Sequence, residues 1–262
     1  MAELVVALDF DSPDTAMDMA GRLQSRISWV KVGLELFTAA GPGVVAGLKA
    51  LGFKVFVDLK FMDIPNTVRG AVRSVTGAGA DMVNIHVLGG RAMAEAALEG
   101  LPGHGGAGPS PLLLGVTLLT SLESGDLPWD VSGISSGEMV LSLAAKARLW
   151  GLDGVVCSGR EAASVKSACG RGFLCLTPGI RTGPAGDDQQ RTVTPEQAVA
   201  WGYERVGMVT RPGELSRRGD ILDVFCPSYD YPLRLEFFGD TLEDLRLFDP
   251  STQRAMESLH EA

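Results

Sequence analysis

The chain has 262 residues, 45% of them apolar, enough to bury the core of one barrel-sized domain or of two smaller ones. Its formal net charge of −9 argues against a nucleic-acid-binding surface and says nothing against an anionic small ligand held in a local basic site. The first apolar run, Leu4-Val5-Val6-Ala7-Leu8, follows no basic leader and no long apolar stretch, so neither a signal peptide nor a membrane span is expected, and a cytoplasmic protein is.

Short apolar strands then alternate with helical patterns to about residue 202. The first strand, 4–9, ends in Asp9, and Ser12-Pro13 starts a helix over 13–25. A strand at 29–33 carries Lys31 near its end and leads into a helix over 35–51. The third strand, 54–60, ends in Asp58-Leu59-Lys60. Asp63 follows as that strand gives way to a loop, and Pro65-Asn66 opens a helix over 66–78. Strand 82–87 carries His86 and precedes a helix at 91–100. A Pro/Gly-rich connector, 102–111, leads to strand 112–119, with Thr120 just beyond it. A helix at 135–150, a strand at 154–158 ending in Ser158, a helix at 160–169 and a strand at 174–178 complete the series. The last strand runs into a glycine-rich loop, 179–194, that holds Arg181 and Gln189.

Strands this apolar, separated by helices, imply a parallel sheet covered on its outer face. Seven βα repeats favour a (β/α)8 TIM barrel over an open sheet. In a barrel the C-terminal strand ends meet on one rim, where active sites of this fold sit. Asp9, Lys31, and Asp58 with Lys60 place charge on three successive strands at that rim. A glycine-rich loop after the seventh strand is where barrels commonly bind phosphate.

The run Asp58-Leu59-Lys60-Phe61-Met62-Asp63 carries most of the chemistry. Side chains two apart in a strand share a face, so Asp58 and Lys60 are expected together, with Asp63 close by. Taken alone, such an array is either a surface ion-pair cluster or a catalytic one; its position at the end of an apolar strand favours the second. His86 reads more readily as a packed polar residue than as a catalyst. The histidines (His86, His104, His260) make no metal-ligand spacing, and Cys157, Cys169, Cys175 and Cys226 form no C-x-x-C pair. No metal and no cofactor are expected.

The motifs together resemble orotidine 5′-phosphate decarboxylase over residues 4 to about 202. The resemblance rests on Val6-Ala7-Leu8-Asp9, Val30-Lys31-Val32-Gly33, the run Asp58 to Thr67, Val83-Asn84-Ile85-His86, Leu118-Leu119-Thr120-Ser121, Gly154-Val155-Val156-Cys157-Ser158, Thr177-Pro178-Gly179-Ile180-Arg181 and Thr194-Pro195-Glu196-Gln197-Ala198. Related Mg²⁺-dependent sugar-phosphate lyases share D-x-K-x-x-D but not the Ile64-Pro65-Asn66-Thr67 continuation, which makes them a weaker reading. The resemblance implies cofactor-free conversion of orotidine 5′-phosphate to UMP. It implies Lys60 as proton donor to C6, Asp58 against the substrate carboxylate, and Lys31 completing the charge network. It further implies Asp9 on the ribose, Thr120 near the pyrimidine, Arg181 and Gln189 on the phosphate, and a homodimer in which Asp63 and Thr67 reach the partner's site.

Beyond Trp201-Gly202 the pattern breaks. The family's eighth strand, its Gly-Arg-Pro phosphate grip and its closing helix are absent. The runs Arg211-Pro212-Gly213-Glu214-Leu215, Arg218-Gly219-Asp220-Ile221-Leu222-Asp223-Val224-Phe225 and Arg234-Leu235-Glu236-Phe237-Phe238-Gly239-Asp240 are instead similar to a β-rich module of the bacterial transcription–repair coupling factor. Two domains are therefore expected, 1–202 and 203–262, joined near Gly202. The tail is expected to form strands at 214–218, 220–226 and 232–238, with a short helix or another strand beginning at 240–241. Its apolar run at 206–209 makes 205–209 a candidate substitute for the eighth strand, with Arg211 standing in for the lost phosphate-binding arginine. The alternative to an active enzyme is an impaired chimera or a binding fragment related to the repair factor.

Overall fold

The computed structural model describes residues 3–24, 26–103, 110–122, 133–178, 204–212, 214–225, 231–238 and 241–256. Two compact units emerge, one built mainly from Val5–Cys157 and Ser164–Leu176, the other mainly from the residues after Leu176.

The first unit holds seven parallel strands in sequential order: β1 (Val5–Ala7), β2 (Trp29–Gly33), β3 (Lys54–Phe61), β4 (Met82–His86), β5 (Leu112–Val116), β6 (Gly154–Val156) and β7 (Leu174–Leu176). The connections between them carry α1 (Pro13–Leu23), α2 (Leu34–Ala40), α3 (Gly43–Ala50), α4 (Pro65–Gly77), α5 (Gly90–Glu99), α6 (Ser136–Leu149) and α7 (Gly159–Cys169). This is the TIM-barrel pattern, with six βα units and a seventh strand among the described residues.

The expected helix over 35–51 is two helices. Gly41 takes a left-handed φ of 65°, donating its N–H to Phe37 O at 2.8 Å, and Pro42 then starts a new helix in which its missing N–H costs nothing. Elsewhere the start signals hold: α1 and α4 each begin at a proline, and Ser135 with Glu138 forms a reciprocal cap at the start of α6.

The strand period decides what lies where. One face of the sheet buries Trp29, Phe56, Met82, Leu114, Val116 and Val156 in a single apolar cluster. Two residues further along the same strands come Lys31, Asp58 and Asn84, on that same face. The alternate residues Val30, Val55, Val57, Val83, Ile85 and Leu113 are fully buried on the opposite face. Strands β2, β3 and β4 thus each carry an apolar foot and a polar head toward the C-terminal rim.

The second unit contains a five-stranded sheet: β8 (Glu204–Arg205), β9 (Glu214–Arg218), β10 (Ile221–Val224), β11 (Leu233–Phe238) and β12 (Thr241–Leu247). The three expected tail strands are present, and the choice left open at 240–241 resolves as strand β12. Gly219, at φ 61°, closes the β9–β10 turn. Asp223, 1% exposed, receives Arg234 through two hydrogen bonds of 2.7 and 2.8 Å and Arg218 through one of 2.7 Å. A buried carboxylate needs such pairing to be tolerated.

The expectation for 205–209 is not met. Glu204–Arg205 pairs in parallel with Glu214–Leu215, not with β1 or β7, and Val209 is fully buried beside Phe225 and Phe248. The apolar run that suggested an eighth barrel strand is used to build the small core of the second unit. Among the described residues, no strand pairs with the outer edges of β1 and β7.

Candidate active site

The polar head of the sheet assembles around Asp58. Its Oδ1 accepts from Lys60 Nζ at 2.8 Å and from Asn84 Nδ2 at 2.7 Å, and its Oδ2 lies 3.6 Å from Lys31 Nζ. Lys31 Nζ also donates to Asp9 Oδ1 at 2.8 Å. Asp9, just past β1, thereby joins β2 and β3 in one chain of contacts, Asp9–Lys31–Asp58–Lys60, with Asn84 of β4 bracing its centre.

Burial alone would push the Asp58 carboxyl up. The charges of Lys60 and Lys31 and the hydrogen bonds from Lys60 and Asn84 outweigh it, so the group is held below its ordinary value and stays ionised. His86, at the end of β4, is driven toward the neutral form, chiefly by burial and then by the Lys60 charge, against a smaller opposing pull from Asp58. Its Nδ1 is buried with no hydrogen-bond partner among the described residues.

The backbone at Lys60 departs from a regular strand. Val57 is paired with Val83 and Phe61 with Ile85, so Asp58, Leu59 and Lys60 lie opposite Asn84 alone. The surplus is absorbed in a bulge, with Lys60 at φ 51°. Asn84 fills the opening: its Oδ1 accepts the Lys60 N–H at 2.8 Å.

Two participants were not legible as site residues in the sequence. Asn84 is fully buried; an asparagine inside the apolar strand Met82–His86 is the signal that marks it in the sequence. Gly33 is the register partner of Asp58, and a Cβ there would come within 3.0 Å of Asp9 Oδ1 and 3.1 Å of Lys31 Nζ. The missing side chain leaves room for that ion pair.

The remaining expected residues are placed as follows. Asp63 is exposed and accepts from the neighbouring Ile64 N–H at 2.6 Å; among the described residues it makes no ion pair with Lys60. The expected three-membered cluster within one chain is thus an Asp58–Lys60 pair with Asp63 turned aside into its own loop. Thr67 is exposed in the first turn of α4, and Thr120 is half-buried just past β5. Arg181 and Gln189 lie outside the described residues. Arg211 donates from Nε to Glu214 Oε1 at 2.8 Å within the second unit. The segment expected to carry Arg211 as an eighth barrel strand is committed instead to the sheet of the second unit. Among the described residues, no group of three or more His, Cys, Asp or Glu is arranged to hold a metal, and no helix is long and apolar enough to cross a membrane.

A helix-covered parallel sheet with a lysine–carboxylate network on its C-terminal strand ends defines a barrel enzyme. The chain belongs to the orotidine 5′-phosphate decarboxylase / HUMPS family, whose model matches residues 2–207. Residues 184–262 match the UvrB interaction domain, overlapping the first match over 184–207. Among curated relatives, an orotidine 5′-phosphate decarboxylase of Nitratidesulfovibrio vulgaris (strain DP4) is 61% identical over 219 residues, covering 81% of this chain and 90% of the relative. One from Maridesulfovibrio salexigens is 55% identical, covering 76% and 86%. Among solved structures, orotidine 5′-phosphate decarboxylase of Lactobacillus acidophilus superposes with a TM-score of 0.66 at 37% identity, covering 77% of this chain and 87% of that one. An uncharacterised conserved protein of Geobacillus kaustophilus gives 0.62 at 43% identity, covering 67% and 82%.

Proposed function

We propose that this chain decarboxylates orotidine 5′-phosphate to UMP, with Lys60 as the proton donor. The observation that carries the reading is Asp58, only 13% exposed and set between Lys60 and Lys31. In this reaction the C6–carboxylate bond breaks, CO2 departs, and the electron pair remains on C6. The Lys60 ammonium then gives its proton to C6, and solvent returns one to the amine. A localised carbanion needs a fixed positive charge beside it, and a lysine held by a carboxylate supplies that without reorganisation.

Asp58 would face the substrate carboxylate. At ~4 Å and an effective dielectric of ~20, one such repulsion is roughly 4 kcal/mol. Enzymatic accelerations require about 8–23 kcal/mol, so stabilisation of the carbanion by Lys60 has to supply much of the rest. Asp9 would hold ribose hydroxyls, Lys31 would link ribose to the charge network, and Thr120 would border the pyrimidine. Arg181 and Gln189 would bind the phosphate, whose binding energy offsets the cost of confining the substrate. Asp63 and Thr67, exposed beside the rim, would complete the site of a second copy in a homodimer.

A second reading is an impaired member of the family, a fusion that keeps the array and has lost turnover. One observation favours it: β7 is the last strand of the barrel sheet among the described residues, and Glu204–Arg205 belongs to another sheet. In both readings the two domains, 1–202 and 203–262, meet near Gly202. The deciding experiment incubates purified full-length protein with orotidine 5′-phosphate and follows loss of orotidylate absorbance, with Lys60→Ala as control. Turnover that disappears in the variant supports the decarboxylase. A parent chain that converts no substrate sinks the active-enzyme reading.

A further inference from the structure

We infer that Asn84 is a positioning residue for Lys60, holding both its backbone and its carboxylate partner in the one arrangement that aims the ammonium. This rests on the decarboxylase reading of Lys60.

The argument starts from donors and acceptors. The Lys60 N–H can only donate, and the ionised Asp58 carboxylate can only accept. A group bridging them must present an acceptor to the first and a donor to the second, and a primary amide does both. Asn84 Oδ1 meets Lys60 N at 2.8 Å, and its Nδ2 meets Asp58 Oδ1 at 2.7 Å. The same Oδ1 of Asp58 receives Lys60 Nζ at 2.8 Å. Asn84, Asp58 and Lys60 therefore close a ring of three hydrogen bonds around the bulge.

The bridge is placed where the backbone demands it. Three residues of β3 lie opposite Asn84, and the bulge turns Lys60 to φ 51°, a region that residues with a Cβ rarely adopt. The bulge takes the Lys60 N–H out of the regular ladder, where a buried donor needs a partner. Asn84, 0% exposed, supplies it. Aspartate at position 84 would set one carboxylate against another. Serine or alanine would not span both contacts.

The test uses full-length Asn84→Ala and Asn84→Asp, each first checked for parental circular dichroism and melting. With orotidine 5′-phosphate, Asn84→Ala is expected to lower kcat by about 10²-fold with KM within about threefold, since misaiming a reacting group costs rate rather than binding. Asn84→Asp is expected to regain activity relative to the parent as pH falls from 8 to 5.5. Its protonated form restores a donor toward Asp58 and an acceptor toward Lys60, a signature that a merely structural role would not produce. Parental kcat and a parental pH profile in both folded variants would overturn the inference.

A second readout does not depend on turnover. In ¹⁵N-lysine-labelled protein, the Lys60 ammonium signal, assigned by its loss in Lys60→Arg, is expected to be protected from exchange in the parent. It should broaden into solvent exchange in Asn84→Ala. An unchanged signal overturns the positioning role even if the parent proves inactive, while an inactive parent with the expected broadening counts against the decarboxylase reading alone. Should Asn84→Ala fail to fold, Asn84→Gln, with the same amide one methylene longer, takes its place. It should broaden the signal, and an unbroadened signal would again overturn the inference.

Discussion

Lys60 and Asp58 form an ion pair at 2.8 Å although Lys60 has turned into the left-handed region, at φ 51°. The strand alternation that put these two residues on one face is locally broken, and the pair forms through a bulge instead. For a residue with a Cβ this conformation costs roughly 1–2 kcal/mol. Lys60→Gly should therefore be more stable than Lys60→Ala by about 1 kcal/mol in urea denaturation, although both should lose turnover by at least ~10²-fold. Equal stability of the two would show that the backbone there is relaxed.

His86 should titrate below its ordinary value of 6.5. Burial is the larger cause and Lys60 the next, so Lys60→Ala should raise the midpoint only part of the way, and Asp58→Asn should lower it further. Imidazole NMR reads both shifts. Just below pH 6.5 the unfolded chain binds the His86 proton more readily than the folded one. His86 thus favours folding above that pH, and its contribution is lost as pH falls through its depressed folded value. His86→Gln should flatten the pH dependence of stability just below pH 6.5. An unchanged slope would remove His86 as its source.

Asp63 is exposed and accepts from its own Ile64 N–H rather than pairing with Lys60 among the described residues. Mixing Lys60→Ala with Asp63→Ala, each nearly inactive, should restore activity by forming heterodimers with one intact site. At equal concentrations about a quarter of all sites would be intact. An absence of recovery after confirmed subunit exchange would confine Asp63 to its own chain.

Arg211 pairs with Glu214 and follows a segment committed to the C-terminal sheet. Arg211→Ala is therefore expected to leave UMP affinity, measured by calorimetry, within about twofold. A tenfold loss, about 1.4 kcal/mol, would return Arg211 to the phosphate site.

The elements were legible because their signals are local. Proline marked the starts of α1 and α4, and runs of valine, isoleucine and leucine marked the strands. The single expected helix over 35–51 failed at Gly41-Pro42, where a local breaker was present and outweighed by the apolar pattern around it. The 205–209 segment failed for a different reason. An apolar run reports that it will be buried, not against what, and Val209 found Phe225 and Phe248.

The sequence by itself determined the family, the barrel class and the identity of the charged residues, because strand period and motif order are written along the chain. Only the tertiary structure decided how those residues meet. It set Lys31 between Asp9 and Asp58, turned Asp63 away, and brought Asn84 under the bulge at Lys60. Those relations depend on register between strands some 25 residues apart, and a shift of one residue would reverse every face.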